Sequence, residues 1–195
     1  MCGIIGFTGR LEAQKILTEG LAALEYRGYD SAGIAYFKDT GKISIRKTVG
    51  KVKDLLAICD DENNSTCGIG HTRWATHGEP SDVNSHPHFN KEKTIAVVHN
   101  GIIENYLELK AELQAEGYEF ISQTDTEVAA HMVSKYYEGN LLDAVYKATA
   151  RFRGAYALGV ICTDNDQELV AVRKDSPLIV GLGEGENFIA SDIPA

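Results

Sequence analysis

The order of strand and helix patterns along the 195-residue chain limits the folds that it can adopt. Short apolar strand patterns come first in adjacent pairs, helix patterns then come in pairs over residues 105–152, and strand patterns return after them. A doubly wound sheet would need strands and helices to alternate. The order therefore favours an α+β layered sandwich of mostly antiparallel sheets.

The individual elements follow from periodicity and from turn residues. Strand patterns cover residues 4–8, 32–37, 42–49, 67–71, 94–99, 155–163, 168–174, 178–180 and 187–190. Helical spacing predicts helices over 11–26, 52–59, 105–116 and 141–152, and a capping box over 124–127 predicts the start of another. Gly28 and Gly117 suit helix ends. Residues 77–91 are polar and read as a long loop, which is often functional in a compact domain.

Composition excludes several classes of protein. The net charge of -9 argues against a nucleic-acid or membrane-surface partner, because phosphates are bound through clustered Lys and Arg. No apolar run reaches the roughly 18 to 20 residues that span a bilayer. The start of the chain has no secretory-signal layout, so we expect a cytoplasmic protein. The four cysteines are too scattered for a disulfide scaffold or a zinc ribbon, and free thiols are expected.

Cys2 is the most unusual placement in the sequence. If Met1 is removed, a thiol and a free α-amino group share one residue. The reference pKa of an α-amino group is about 7.7 to 8.0, so this group can act as the general base for its own nucleophile. The alternative interpretation is that Cys2 is merely a small residue after the initiator.

Histidines crowd into one stretch of the chain. Five of the six lie close together: His71, His77, His86, His88 and His99. Their spacing matches no common metal motif, and carboxylates are few there, so we predict neither a metal nor a cofactor. The simpler alternative is that they are loop and strand-end histidines bonded to the backbone.

Three further sites combine polar side chains with strand or helix ends. Arg73 could bind a carboxylate in bidentate fashion, or form a surface salt bridge. Asp125 stands at a helix start, where capping is the ordinary role. Asn100 and Gly101 could supply two donors to a developing oxyanion, or form a type I′ hairpin turn. The glycines of 181–185 lack the Gly-Lys-Ser/Thr of a phosphate loop and indicate a turn.

Several long motifs stand together in a fixed order: MCGIIG, LEYRGYDSAGIA, HTRWATHGEPS followed by HPH, VVHNGIIENY and TDTE. In this the chain resembles the class II glutamine amidotransferases, over essentially its whole length from Cys2 to about Asp192. The resemblance implies an N-terminal-nucleophile hydrolase fold, a four-layer αββα sandwich. It also implies that the Cys2 thiolate attacks the side-chain amide of glutamine and forms a γ-glutamyl thioester.

The resemblance assigns roles to further residues. It implies an oxyanion hole at Asn100 and Gly101, and a substrate clamp made by Arg73 for the α-carboxylate and Asp125 for the α-ammonium group. The remaining positions that match the family's site are next to the nucleophile or around the substrate: Arg27, Gly28, Trp74, Thr76 and His77.

Within that family the chain is most similar to glutaminase domains that precede two sugar-phosphate isomerase domains. There the ammonia converts fructose 6-phosphate to glucosamine 6-phosphate, and the whole enzyme is commonly a homodimer. Since such domains continue past residues 191–192, we expect a domain shortened at its C-terminus. The alternatives are the glutaminase domain of an amidophosphoribosyltransferase, a hydrolase using Cys67 with His71 or His99, and a non-catalytic glutamine-binding module.

Overall fold

A computed structural model describes residues 2–59, 64–74 and 78–195. The strands within these ranges are β1 (Gly3–Thr8), β2 (Ser31–Phe37), β3 (Ile43–Val49), β4 (Cys67–Arg73), β5 (His88–Phe89), β6 (Ile95–Gly101), β7 (Tyr156–Cys162), β8 (Asn165–Lys174), β9 (Ile179–Leu182) and β10 (Asn187–Ala190). The α-helices are α1 (Ala13–Leu24), α2 (Val52–Leu56), α3 (Tyr106–Ala115), α4 (Asp125–Tyr136) and α5 (Leu141–Thr149), and a 3₁₀ turn (Glu25–Arg27) follows α1.

The strands form two antiparallel sheets. The larger has the order β3-β2-β4-β1-β10-β9, and the smaller has the order β5-β6-β7-β8. Strand β1 therefore lies inside the larger sheet, between β4 and β10. This central position brings the segment just before β1 to the end of β4, since Gly3 pairs with Thr72.

Three apolar clusters separate four layers. Ile4, Ile69 and Val98 belong to the cluster between the two sheets, whereas Ile5 and Phe7 belong to the one under α1 and α2. Alternate residues of β1 thus face opposite sides of a sheet that is buried on both faces. A third cluster packs α3, α4 and α5 on the smaller sheet. The layers run α-β-β-α, and the predicted fold class is confirmed.

Most predicted elements are present, with shifted ends. The early helix is shorter than predicted because its last turn tightens to 3₁₀ before Gly28, whose φ of 102° ends it. The helix predicted over 141–152 stops at Thr149. Residues 88–89 of the long loop form strand β5, which apolar periodicity could not reveal in so short a segment.

The predicted capping box at the start of α4 is wrong. Thr124 is the N-cap residue, but its side chain makes no capping bond. The carboxylate of Glu127 accepts instead from the backbone N–H groups of Ile121 and Ser122, at 2.9 and 2.7 Å. Within the described ranges, no helix has the length and apolar character needed to cross a membrane.

Candidate active site

Cys2 lies against the backbone that leaves the end of β4. Its Sγ accepts a hydrogen bond from the Trp74 N–H at 3.1 Å and donates to the Trp74 carbonyl at 3.4 Å. Burial raises the pKa of the Cys2 thiol, and the Trp74 N–H opposes this only in part. The sulfur therefore rests as a thiol, and a nearby base must remove its proton before it can act as a nucleophile.

The carbonyl oxygen of Cys2 accepts from two side chains. Arg27 donates from Nε at 3.3 Å, and Asn100 donates from Nδ2 at 3.1 Å. Arg27 is itself held by Asp192, whose Oδ2 lies 2.8 Å from the Arg27 Nη1 and also accepts from the Tyr26 hydroxyl. These contacts fix the residue that carries the thiol. The structure places Arg27 beside Cys2, where the sequence resemblance expected it, whereas the contact with Asp192 has no signal in the sequence.

Gly28 makes room for an indole ring. A Cβ added at Gly28 would lie 2.6 Å from Cε3 of Trp74, and the φ of 102° is itself unfavourable for other residues. The Trp74 side chain is 55% exposed, so one face of the ring packs on Gly28 while the rest reaches solvent. Gly28 and Trp74 are thus brought together beside the nucleophile.

A cavity of about 370 Å³ opens next to the Cys2 thiol. That volume lies within the range of small-molecule sites. Its lining includes residues from strand ends, from the start of α4 and from the chain start, among them Cys2, Arg73, Trp74, Asn100, Gly101 and Asp125. Ile102, Ser176 and Pro177 also line it, and no sequence pattern marked them.

Arg73 ends β4 and is only 3% exposed, so the surface salt-bridge interpretation is wrong. Its Nη2 donates to the Gly78 carbonyl at 2.9 Å, which attaches the following loop to the strand. A buried guanidinium that faces a cavity can bind an anionic group there, because the site has little water to compete.

Asp125 is the first residue of α4 and is 5% exposed. Its carboxylate accepts from the Ile103 N–H at 2.9 Å, and its other oxygen lies 3.8 Å from His99 Nδ1. The capping interpretation is wrong, since the bonds go to a neighbouring loop rather than to the helix's own N–H groups. The carboxylate is a buried negative charge at the edge of the cavity.

Asn100 and Gly101 are the last residues of β6, opposite Ala157 and Tyr156 of β7. They do not form the alternative hairpin turn. Gly101 has a φ of 110°, and a Cβ there would lie 2.1 Å from the Ala155 carbonyl oxygen. Glycine is thus required at the point where the chain leaves the sheet beside the cavity.

Four histidines are buried around the site: His71, His86, His88 and His99. The His71 and His86 rings stack with centroids 4.0 Å apart. Burial lowers the pKa of His71 to about 3 and holds the pKa of His86 and His88 well below 6.5, so these rings are neutral. Among the described residues, no group of three or more His, Cys, Asp or Glu side chains is arranged to hold a metal ion.

The simpler interpretation placed the hydrogen bonds of the histidines on the backbone, and it holds only in part. The His71 Nε2 lies 2.9 Å from the His99 carbonyl oxygen, but most of the other bonds go to side chains. The His99 Nδ1 lies 2.9 Å from the Thr126 hydroxyl, and the His88 Nε2 lies 3.0 Å from that of Thr124. These two contacts could not be predicted from the sequence, because nothing in the TDTE motif indicates that its hydroxyls face buried histidines. The predicted site residues Thr76 and His77 lie outside the described residues.

All four cysteines are free thiols, as predicted. Cys67, the nucleophile of the alternative hydrolase, pairs with Thr8 at the far end of β4 from the cavity. Burial raises its pKa to about 12, and its Sγ lies 3.8 Å from a backbone carbonyl of Glu168. The geometry gives that alternative no support.

Comparison with known proteins decides the family. A family model described as a glutamine amidotransferase domain matches residues 71–195. The chain belongs to the glutamine amidotransferase domain family. Two similar relatives are the glutamine–fructose-6-phosphate aminotransferases [isomerizing] of Clostridium perfringens, at 62% identity, and Aquifex aeolicus, at 55%. Each is matched over 100% of this chain, which spans about a third of the relative (32% and 33%).

Solved structures of known proteins superpose on nearly the whole of this chain. A glutamine phosphoribosylpyrophosphate amidotransferase from B. subtilis superposes with a TM-score of 0.84 at 28% identity, over 97% of this chain and 42% of that one. A glutamine aminotransferase class-II domain protein from Silicibacter pomeroyi superposes at 0.64 with 15% identity, over 97% of this chain and 88% of that one, and supports the fold alone.

Proposed function

We propose that this chain is a glutaminase domain that hydrolyses the side-chain amide of L-glutamine to glutamate and ammonia, with the Cys2 thiol as nucleophile. The observation that carries the proposal is the cavity, where a thiol, a buried guanidinium and a buried carboxylate meet. Membership of the glutamine amidotransferase domain family supports the same substrate.

The two buried charges suit the two ends of an amino acid. Free glutamine carries an α-carboxylate and an α-ammonium group, so its site needs one cation and one anion at a fixed separation. Arg73 would pair with the carboxylate and Asp125 with the ammonium group. Because Arg73 and Asp125 lie at the ends of rigid elements, they would direct the side-chain amide of the bound glutamine toward Cys2 without large rearrangement.

The reaction needs a base, because burial disfavours the thiolate of Cys2. We assign this task to the α-amino group of Cys2 after removal of Met1, since its pKa lies near neutrality. The amine takes the thiol proton, and the sulfur forms a bond to the amide carbon. The resulting oxyanion receives hydrogen bonds from the second Asn100 Nδ2–H and from the Gly101 N–H.

Collapse of this intermediate breaks the carbon–nitrogen bond. The α-ammonium group of Cys2 returns its proton to the leaving nitrogen of the substrate. Ammonia departs, and a γ-glutamyl thioester remains on Cys2. Water, deprotonated by the same amine, then cleaves the thioester and releases glutamate. The net change is glutamine plus water to glutamate plus ammonia, and the thiol is regenerated.

The remaining residues would shape the pocket. Arg27 holds the Cys2 carbonyl, and Gly28 lets the Trp74 ring lie over the approach to the thiol. Thr76 and His77 are proposed as further substrate contacts from the sequence resemblance alone. Because the ring would cover part of the cavity and limit its contact with water, it would strengthen the electrostatic contacts with the bound amino acid.

The relatives' names indicate a use for the ammonia. We propose that it aminates fructose 6-phosphate to glucosamine 6-phosphate, in sugar-phosphate isomerase domains that accompany this domain in a cytoplasmic, homodimeric enzyme. A phosphoribosylpyrophosphate amidotransferase is the second candidate, favoured by the TM-score of 0.84. The 62% identity to an aminotransferase, against 28% to that amidotransferase, makes it the weaker one.

A single substitution tests the proposal. Cys2→Ala should abolish glutamate release while the circular dichroism spectrum stays that of the parent protein, because Ala keeps the backbone contacts of residue 2. Cys59→Ala, which changes another partly buried free thiol, is the matched control and should retain activity. Intact mass spectrometry reports whether Met1 is removed. Glutamate release at the parent rate in the Cys2→Ala protein would overturn the assignment.

A further inference from the structure

Behind the Asn100 amide lies a histidine that the mechanism above does not use. The Nε2 of His71 is 2.9 Å from the backbone carbonyl oxygen of His99 and 2.9 Å from Oδ1 of Asn100. A backbone carbonyl can only accept a hydrogen bond, so the Nε2 must carry a proton. That proton is shared between two acceptors, and one of them is the side chain proposed as the oxyanion donor.

The proton on His71 determines which way the Asn100 amide faces. In the observed orientation Oδ1 accepts from His71, and Nδ2 donates to the Cys2 carbonyl at 3.1 Å. Rotating the amide by half a turn would set Nδ2 against the Nε2–H, two donors, and Oδ1 against the Cys2 carbonyl, two acceptors. Both hydrogen bonds would be lost in a buried site, where unmade bonds are costly.

The ring of His71 cannot move away easily. It lies on β4 between neighbouring strands, opposite Ile4 of β1 and Gly33 of β2, and is 1% exposed. Its ring stacks on His86 with an interplanar angle of 18°. The Nδ1 atom has no hydrogen-bond partner among the described residues. Within that part of the chain, the ring is therefore held in hydrogen bonds through Nε2 alone.

We propose that His71 is a positioning residue for glutamine hydrolysis, which directs the N–H groups of Asn100 at the cavity by donating to its Oδ1. This inference rests on the proposed function, since it concerns the same reaction. His71 does not line the cavity, so it should contact neither the thiol nor the substrate. Its effect should therefore appear only in steps that place negative charge on the amide oxygen of the substrate.

The test compares His71→Leu, which removes the donor, with His71→Gln, whose side-chain amide can donate from nearly the same place. Loss of an oxyanion donor itself costs about 100- to 1,000-fold, so we expect His71→Leu to lower kcat about 10- to 100-fold, with little change in KM. His71→Gln should recover most of the lost rate. All variants are made in the full-length protein, with the start of the chain processed as it is in the cell.

Two further measurements separate positioning from a general structural defect. Alkylation of Cys2 by iodoacetamide develops no oxyanion and should proceed at the parent rate in His71→Leu. The aldehyde analogue of glutamine forms a tetrahedral oxyanion with the thiol, so its affinity should fall by about the same factor as kcat. His131→Leu, which removes a buried histidine on α4, is the control and should retain kcat.

The possible outcomes are distinct. Parent kcat in His71→Leu overturns the inference, as does an equal loss of kcat and of Cys2 alkylation rate. If His71→Leu does not fold, the test compares the rates of His71→Gln and His71→Asn, because the Asn side chain is too short to reach the Oδ1 of Asn100. Equal rates in these two variants overturn the inference. Failure of the proposed function would look different, since the parent protein would then release no glutamate.

Discussion

The charge on Asp125 can be removed with almost no change in shape. Asp125→Asn keeps an oxygen that can accept from the Ile103 N–H, so the local structure should survive. What disappears is a buried negative charge at the edge of the cavity. We expect glutamine binding to weaken markedly and folding to be affected only slightly.

The magnitude follows from the environment of the carboxylate. Removing one partner of a desolvated ion pair costs about 2 to 5 kcal/mol. The carboxylate is 5% exposed, but the Trp74 ring that borders the cavity is 55% exposed, so solvent reaches the site and the lower half of that range applies. A loss of about 2 to 3 kcal/mol corresponds to roughly 30- to 150-fold in the dissociation constant.

Some stability should be lost as well. A negative charge in the first turn of a helix contributes about 0.3 to 1 kcal/mol through the helix dipole. Asp143 occupies the first turn of α5, away from the cavity, and Asp143→Asn is therefore the matched control for this effect. That variant should match the small loss of thermal stability and bind glutamine normally.

Isothermal titration calorimetry measures the dissociation constant directly. A Cys2→Ala background prevents turnover during the titration. The ligands are glutamine and 4-carbamoylbutanoate, which lacks only the α-amino group. Asp125→Asn should weaken the first ligand strongly and leave the second nearly unchanged. Equal glutamine affinity in parent and variant, or an equal loss for both ligands, would refute the proposed role of Asp125 in binding the ammonium group.

Two further predictions concern stability. Gly28→Ala adds a Cβ 2.6 Å from the Trp74 ring at a φ of 102°, and should lower the free energy of unfolding by about 1 to 3 kcal/mol. It should also shift the fluorescence emission of Trp74, the one tryptophan in the sequence. The control is Gly41→Ala, at a φ of 73° with no atom within 4 Å of the added Cβ, and it should leave the emission unchanged. An unshifted emission in Gly28→Ala would contradict the contact between Gly28 and the ring. Burial lowers the pKa of His71 to about 3 and the pKa of His88 well below 6.5, so below about pH 6.5 these two side chains take up protons more readily in the unfolded chain than in the folded one. The free energy of unfolding should therefore fall as the pH drops below about 6.5, by up to about 1.4 kcal/mol per pH unit for each histidine. Urea titrations at pH 7 and 5 measure this, and an unchanged fall in His88→Gln would count against it.

Much of the fold could be predicted because its signals are local. The short apolar run of β1 and the helical spacing in α1 each depend on residues a few positions apart, and both elements are found where they were expected. The ends were less accurate. The capping box at Thr124 failed because Glu127 found better donors in the backbone of 121–122, a contact that the tetrapeptide pattern does not contain.

The site was predicted less evenly. A thiol at Cys2 and a matching set of polar residues could be identified from motifs. The alternatives for Arg73, Asp125 and Asn100 could not be resolved locally, since each residue type has an ordinary structural role at such a position. Burial excluded the ordinary role of Arg73, hydrogen-bond partners excluded that of Asp125, and strand pairing excluded that of Asn100. All three are properties of the packed layers.

The amino-acid sequence was enough to predict the kinds of element, their order and the residue types able to attack an amide. The packed molecule was needed to show that the start of β1 meets the end of β4, that two opposite charges from distant segments border one cavity, and that the His71 Nε2 lies 2.9 Å from the Asn100 Oδ1. The two kinds of information differ in range. Periodicity and turn chemistry act between near neighbours in the sequence. Strand register, desolvation and hydrogen bonds between distant side chains arise only when segments far apart in the chain are packed together.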